Sequence, residues 1–543
     1  MDDTATAVGQ LEQLLAPFTA DKPGLAARVE RGGEVVFERY LGGADLEHDA
    51  PVTAATRFHV ASVSKQFTAF AILLESRAGR VNLDADIHAY LPELADYGAK
   101  VAVSDLVRHT SGLRDQWELM LLSGTPLDGL IRQSAIIAMA ASQNGLNFPP
   151  GTQFRYSNTG YSLLAEIVAR TSGTAFPAYL AEQVFAPLGM TETLVYGDAA
   201  HLLPNRAMSY RLNRKGEVRQ ARLNYSNYGA TSLQSTPRDL AKWARELMHP
   251  SHFGADLIAE MTGPGALRDG TPLNYGFGIM RTTLGGRAAL NHDGGDAGYR
   301  AFFACFPDDD ASIVVCSNGQ ADTGRIGLAL ADAFLSPAPA APEPRPPDPS
   351  KLEALAGYYV NDWGPGLTLE AKDGKLVVRG GLGPPTEAKF LPNGDFYLYA
   401  PHFAFAPRPG GDLAETQGVG ATSVLHRRAK RVQPSAAQLA SLAGTYRCDE
   451  IDSTYRLAPD ESGGGLVVSC LRFAPLKLAA ADADAFDGPG LRLALLRDGG
   501  GAPSGFTLAT GRVRGLPFHL IASCSRPRRS GGKGGRERGR WRG

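Results

Sequence analysis

Residues His59 to Phe70 read HVASVSKQFTAF. The stretch sets Ser62 three positions ahead of Lys65 and then turns apolar, with Phe67, Phe70, Ile72 and Leu74 continuing a helical pattern to Arg77. At i and i+3 the two polar side chains share one face of a helix. The N-terminus of that helix favours negative charge developing on Ser62. Burial against Phe67 and Phe70 lowers the pKa of Lys65 toward neutrality, so that it can take the serine proton. The bland alternative is a helix-capping serine ahead of a solvated lysine. S-x-x-K alone occurs roughly once by chance in a chain of this size, so the pair needs companions.

A nucleophilic serine also needs a group that passes its proton to a leaving amine and later activates water. Tyr156-Ser157-Asn158 and Tyr225-Ser226-Asn227 compete for that place. The first follows a Pro-Gly turn and opens an apolar helix through Leu163, Leu164 and Ile167, whereas the second sits among loop formers, so Tyr156 is favoured. The third piece should be a strand edge built from small residues. His292-Asp293-Gly294-Gly295 fits, because it precedes the strand AFFACF and glycine permits close approach. His252-Phe253-Gly254 lies beyond a helix exit and does not fit.

With 543 residues the chain exceeds one hydrophobic core. Its net charge of -1 hides a division: residues 526–543 carry +7 and the rest -8, with no basic stripe for nucleic acid. The acidic start predicts no secretory leader. No apolar run is long enough for a membrane span, and the expected location is cytoplasmic. Five cysteines without C-x-x-C spacing predict buried thiols, and neither a metal nor any other cofactor is expected. Seven prolines between Ser336 and Ser350 mark a stiff linker. Behind it the sequence repeats: Leu355, Gly357 and Tyr359 correspond to Leu442, Gly444 and Tyr446 at an offset of 87. Both copies alternate apolar and polar residues between Gly- and Asp-rich turns, which predicts two related antiparallel β-barrels, 351–432 and 436–524. The Gly/Arg-rich tail 525–543 predicts disorder. Ahead of the linker, a hairpin over Leu25–Leu41, helices, and paired strands after Asn291 predict an α+β catalytic domain over 1–335. Its antiparallel sheet closes with N- and C-terminal strands around a helical subdomain.

In the order SVSK, YSN, HDG the chain resembles the serine hydrolases of the penicillin-binding protein and class C β-lactamase family. HTSGL at His109, STPRDLAKW at Ser235 and YGFGI at Tyr275 agree. The resemblance implies the β-lactamase/transpeptidase-like fold and an acyl-enzyme mechanism, with Ser62 as nucleophile, Lys65 as base, Tyr156 as proton shuttle and His292 in the third catalytic element. It implies substrate contacts from Asn158, Asp293, Gly294 and Gly295, with the backbone N–H groups of Ser62 and Gly295 as oxyanion hole, and a supporting role for His109. β-Lactamases commonly carry Lys-Thr-Gly in the third place to hold a substrate carboxylate. His292 and Asp293 stand there instead, and an aspartate beside the cleft should attract an amine.

That variation, SGLRDQW, and the two lipocalin-like barrels give a layout similar to the D-aminopeptidases of the family. There a loop of the last barrel walls the active site; which loop does so here is left open. The implied activity is hydrolysis of small peptides or amino-acid amides with release of a D-amino acid. A carboxylesterase or weak β-lactamase on the same scaffold, and an inactive ligand-binding protein, remain alternatives. The implied partners are a small peptide, amide or ester substrate, with no nucleic acid for the folded body and no membrane. A homodimer is left open.

Overall fold

The computed structural model describes residues 3–338, 348–380, 384–398, 404–417, 420–470 and 473–521. The centre of the Pro-rich segment and the basic tail, with Cys524, lie outside the described residues. Helix α1 (Asp3–Leu15) precedes β1 (Leu25–Arg31) and β2 (Glu34–Leu41). The hairpin turns on Gly32 and Gly33 with φ of 59° and 82°, a pair of positive values that suits the twist of the two strands. There follow α2 (Ser64–Arg77), α3 (Gln116–Ser123), α4 (Asn158–Ser172) and α5 (Pro237–Met248). The chain then returns as β3 (Met280–Leu284), β4 (Arg287–Asp296), β5 (Tyr299–Phe306) and β6 (Ala311–Ser317), before α6 (Thr323–Phe334).

The six strands form one antiparallel sheet in the order β3-β4-β5-β6-β1-β2, so the first and last parts of this portion close on each other as expected. One face packs on α1 and α6 through Leu11, Leu15, Phe302, Ile326 and Leu330. The other covers a larger core that holds α2, with Phe303, Val314, Phe67 and Leu163. Every residue of α2 from Ser64 to Leu73 is buried, as befits a helix enclosed on all sides.

The helix begins later than its sequence pattern implies. Ala61–Val63 form a 3-10 turn and the α-helix starts at Ser64. Ala61 holds φ at 48°, a left-handed conformation that cannot continue a helix and is strained for a residue with a Cβ. Strand β4 presses on this turn. A Cβ at Gly294 would stand 2.2 Å from the Val60 carbonyl oxygen, so glycine is what lets the strand reach the turn that carries Ser62. The cysteines Cys305, Cys316, Cys448 and Cys470 are free.

The second barrel is closed and has eight strands, from Gly444–Cys448 to Leu516–Leu520. The first barrel differs from its repeat partner. Nine of its strands run in one nearly closed sheet, and its strand Gly420–Ala429 also pairs with Pro272–Leu273 of the N-terminal portion. The repeated Leu-x-Gly-x-Tyr pattern has a shared physical basis. Tyr359 donates its hydroxyl proton to the Leu355 carbonyl at 2.9 Å, and Tyr446 does the same to Leu442 at 2.8 Å. Among the described residues no helix is long and apolar enough to cross a membrane.

The second barrel is locked onto the N-terminal portion by α3. Leu119 and Leu122 enter the barrel's own core beside Leu439, Tyr455 and Phe518, and Tyr455 donates to the Leu122 carbonyl at 2.6 Å. Arg114 lies 2.6 Å from Glu450, with side chains 4% and 8% exposed. It also donates to the Arg514 and Gly515 carbonyls. Breaking a buried pair strands one charge without a partner, at a cost of about 3–5 kcal/mol. Arg114→Ala and Glu450→Ala should each lower the unfolding free energy, read from denaturant titration, by such an amount. The double variant should cost clearly less than the sum, and full additivity in that cycle would refute the coupling.

Candidate active site

Ser62 sits in the strained turn, and Lys65 sits one residue inside α2. Lys65 Nζ lies 3.2 Å from Ser62 Oγ, 2.8 Å from Asn158 Oδ1 and 2.7 Å from the Ala230 carbonyl oxygen. The lysine is wholly buried, and burial pulls its pKa down to about 7. The Arg512 charge lowers it further, while Asp115 and Asp296 oppose the shift. The source of the burial differs from the sequence expectation. Phe67 and Phe70 pack on Trp243, deeper in the core, because positions two and five residues on lie well around the helix from Lys65. The rings beside the amine are Tyr156 at 4.8 Å and Tyr161 at 5.6 Å.

Tyr156 is brought to Ser62 and Lys65 by the turn that opens α4. Its hydroxyl is buried beside Ser62. Burial raises its pKa, and the neighbouring Ser62 and Arg512 counter that. Asn158 borders a cavity that also reaches Ser62, but its amide is already engaged: Oδ1 accepts from Lys65, and Nδ2 donates to Asp115 at 2.8 Å. The side chain holds the lysine in place.

His109, Tyr275 and His292 form a buried chain whose proton positions follow from its ends. The Ser157 N–H donates to His109 Nδ1 at 3.1 Å, so the proton of neutral His109 is on Nε2 and goes to the Tyr275 hydroxyl at 3.1 Å. That hydroxyl in turn donates to His292 Nε2 at 3.2 Å. His292 Nδ1–H then donates to the Asp293 carbonyl oxygen at 2.7 Å. Burial, reinforced by Lys65, pushes the His292 pKa down to about 3, so this ring is neutral at ordinary pH.

Asp293, Gly294 and Gly295 occupy β4 as expected, but they serve in different ways. Ser62, Asp293 and Gly295 border one cavity of about 450 Å³. Asp293 pairs with Phe302, which packs toward α6. The register therefore sets the Asp293 side chain on the α6 face of the sheet, where Asp322 is the charge that acts on it. The carboxylate at the cavity is Asp296. It accepts from Thr231 Oγ1 at 3.1 Å and from the Tyr225 hydroxyl at 3.3 Å, with His59 Nε2 also at 3.3 Å. Tyr225, the competing tyrosine of the sequence, thus lines the same cavity, stacked on Trp117 with centroids 4.9 Å apart.

The sequence reading missed three further residues. Asp115 is fully buried and accepts from both the backbone and the side chain of Asn158 at 2.8 Å. Asp296 follows His292 by four residues, a spacing that could have identified it. Arg512 arrives from the loop 510–515 between the last two strands of the second barrel, and its guanidinium lies 5.1 Å from the Tyr156 ring centre. This is the barrel loop whose identity the sequence left open.

Comparison with known proteins bears on the family and the fold. Residues 11–335 match the family described as Beta-lactamase. Over 524 residues the chain is 28% identical to the D-aminopeptidase of Brucella melitensis, covering 92% of this chain and 96% of that protein. The octameric penicillin-binding protein homologue from Pyrococcus abyssi superposes with a TM-score of 0.54 at 21% identity, over 79% of this chain and all of its own. The D-amino acid amidase from Ochrobactrum anthropi SV3 does so with a TM-score of 0.51 at 24% identity, over 61% and 98%. With the family matched across the whole portion that carries Ser62, Lys65, Tyr156 and His292, this chain belongs to the beta-lactamase family and is a serine hydrolase of that fold.

Proposed function

We propose that the protein releases an N-terminal D-amino acid from small peptides or amino-acid amides through an acyl-enzyme on Ser62. The observation that carries this reading is the Asp296 carboxylate at the Ser62 cavity, where it can receive the α-ammonium group of a substrate. The similarity to D-aminopeptidases supports the D configuration. Neutral Lys65 takes the Ser62 proton as Oγ attacks the substrate carbonyl carbon. The backbone N–H groups of Ser62 and Gly295 face the oxyanion that forms. The tetrahedral adduct collapses with loss of the amine, which receives its proton from Lys65 by way of the Tyr156 hydroxyl. Water then attacks the ester, gives up its proton along the same path, and frees the amino acid with Ser62 restored.

Release of p-nitroaniline from D- and L-alanine p-nitroanilide, with Ser62→Ala as blank, tests the reading. Turnover of the D form alone is expected. Silence on both, with hydrolysis of short p-nitrophenyl esters retained, would make the protein an esterase. Tyr156→Phe should lower kcat by about 10²- to 10³-fold, whereas Tyr225→Phe, acting through Asp296, should fall mainly on KM. Acetylating the substrate amine should lower kcat/KM at least tenfold, since the half-buried Asp296 carboxylate then loses its charged partner.

The pH dependence follows from two opposite titrations. Lys65 must be neutral to accept a proton, so kcat/KM rises through about pH 7. The substrate α-amine must be charged to meet Asp296, so kcat/KM falls again through about pH 8. A narrow bell is expected, and a flat profile between pH 6 and 9 would contradict the assigned base.

A further inference from the structure

The cavity carries a second charge that hydrolysis of an amide does not require. Of the residues that line it, Arg512 is the one permanent cation. Lys65 beside it is the enclosed base, and His292 is neutral. The loop that brings Arg512 is held by its backbone and not by this side chain. Arg512 N–H donates to Glu118 at 2.8 Å, and its carbonyl accepts from Asn147 Nδ2 at 2.8 Å and from the Asp115 N–H at 3.3 Å. The Glu118 carboxylate is itself buried against this loop and also accepts from the Thr510 hydroxyl at 2.5 Å.

The guanidinium contributes nothing to that anchoring. It stands half-buried over Tyr156, and among the described residues it makes no hydrogen bond or ion pair of its own. Arg514, two residues on, shows the contrast: its guanidinium lies 3.4 Å from Asp362 and 5.5 Å from the centre of the Trp363 ring. One arginine of the loop is spent on packing between the barrels, and the other is presented to the cavity.

Building on the aminopeptidase reading, we propose that Arg512 is a specificity-determining residue that binds the free C-terminal carboxylate of the substrate, so that the preferred substrates are free dipeptides with an N-terminal D residue. In a dipeptide the α-ammonium and the carboxylate flank the single peptide bond that Ser62 attacks. Asp296 and Arg512 offer the complementary pair of charges at one cavity. A guanidinium is suited to this place because its fork of N–H donors meets both carboxylate oxygens. Longer peptides carry the carboxylate beyond the loop, and amides lack it.

The test compares D-alanyl-glycine with D-alanyl-glycinamide, reading kcat/KM for release of D-alanine. The wild-type protein should prefer the free acid by roughly 10- to 100-fold. Arg512→Gln should bring that ratio close to one, and Arg512→Lys should retain part of it. If Arg512 acted only through its field on Lys65 and Tyr156, both substrates would suffer alike and the ratio would stand; that result overturns the proposal. Calorimetric binding of the same two ligands and their L-alanyl counterparts to Ser62→Ala separates it from the reading beneath. A preference for the free acid without a preference for D would sink the D-aminopeptidase and leave the role of Arg512 intact. D-specific turnover with no discrimination between acid and amide would do the reverse. Equal, weak binding of all four ligands would overturn both.

Discussion

A buried carboxylate, Asp115, joins the three parts from which the site is made. One oxygen accepts from both the backbone and the side chain of Asn158, which in turn holds Lys65. The other caps α3 by accepting from the Trp117 N–H at 3.0 Å. The Asp115 N–H donates to the Arg512 carbonyl in the second barrel. An unpaired buried charge would be untenable, and here several donors converge on it. The same charge decides how the lysine behaves. Burial alone would strip Lys65 of its proton, the nearby carboxylates restore part of its basicity, and the balance falls near neutral pH. A base poised there can both take and return a proton.

Because α3 is tied at its start to the site, its successive residues divide their work. Trp117 borders the cavity, Glu118 receives the barrel loop, and Leu119 and Leu122 complete the barrel's core. Removing the barrel would expose those leucines and leave Glu118 without the donors it faces. Glu118, with its pKa raised to about 7 by burial and by Asp115, shows how closely that junction is packed. The barrel is thus a wall of the Ser62 cavity, which is why a cation there can come from a residue 450 positions away from Ser62 in the chain.

What the sequence revealed divides along the same line. Ser62 and Lys65 could be paired from the sequence because their relation is local, three positions apart where the chain enters α2, and Tyr156 because its turn opens α4. The hairpin at Gly32 and Gly33 and the strands after Asn291 were legible from turn chemistry and alternation. Asp293 borders the cavity from its place on β4 but turns its carboxylate to the other face of the sheet, for a reason the sequence already contained. Side chains on a strand alternate, so 292 and 296 share a face and 293 does not. The period of two, applied from His292, selects Asp296. Tyr225 and Arg512 carried no such signal, since only tertiary packing brings a two-residue strand and a barrel loop to the serine. Tyr225, read as a loop residue, lies in the short strand Tyr225–Ser226 and borders the cavity.

The neutral histidine links these observations into one electrostatic design. Where relatives with Lys-Thr-Gly hold a cation on the strand, His292 has no room for a second proton. Its Nδ1–H is committed to the Asp293 carbonyl, and its Nε2 accepts from a tyrosine whose own acceptor site is filled by His109. Protonating the ring would place a donor against the Tyr275 hydroxyl, beside buried Lys65, in a pocket that already disfavours charge. The strand therefore offers Asp296 as its charged group and no cation. Positive charge enters from the barrel loop, on Arg512, where it lowers the affinity of Lys65 for a proton. With Asp296 on β4 and Arg512 on the barrel loop, the cavity's charge pattern is a joint property of the N-terminal portion and the second barrel.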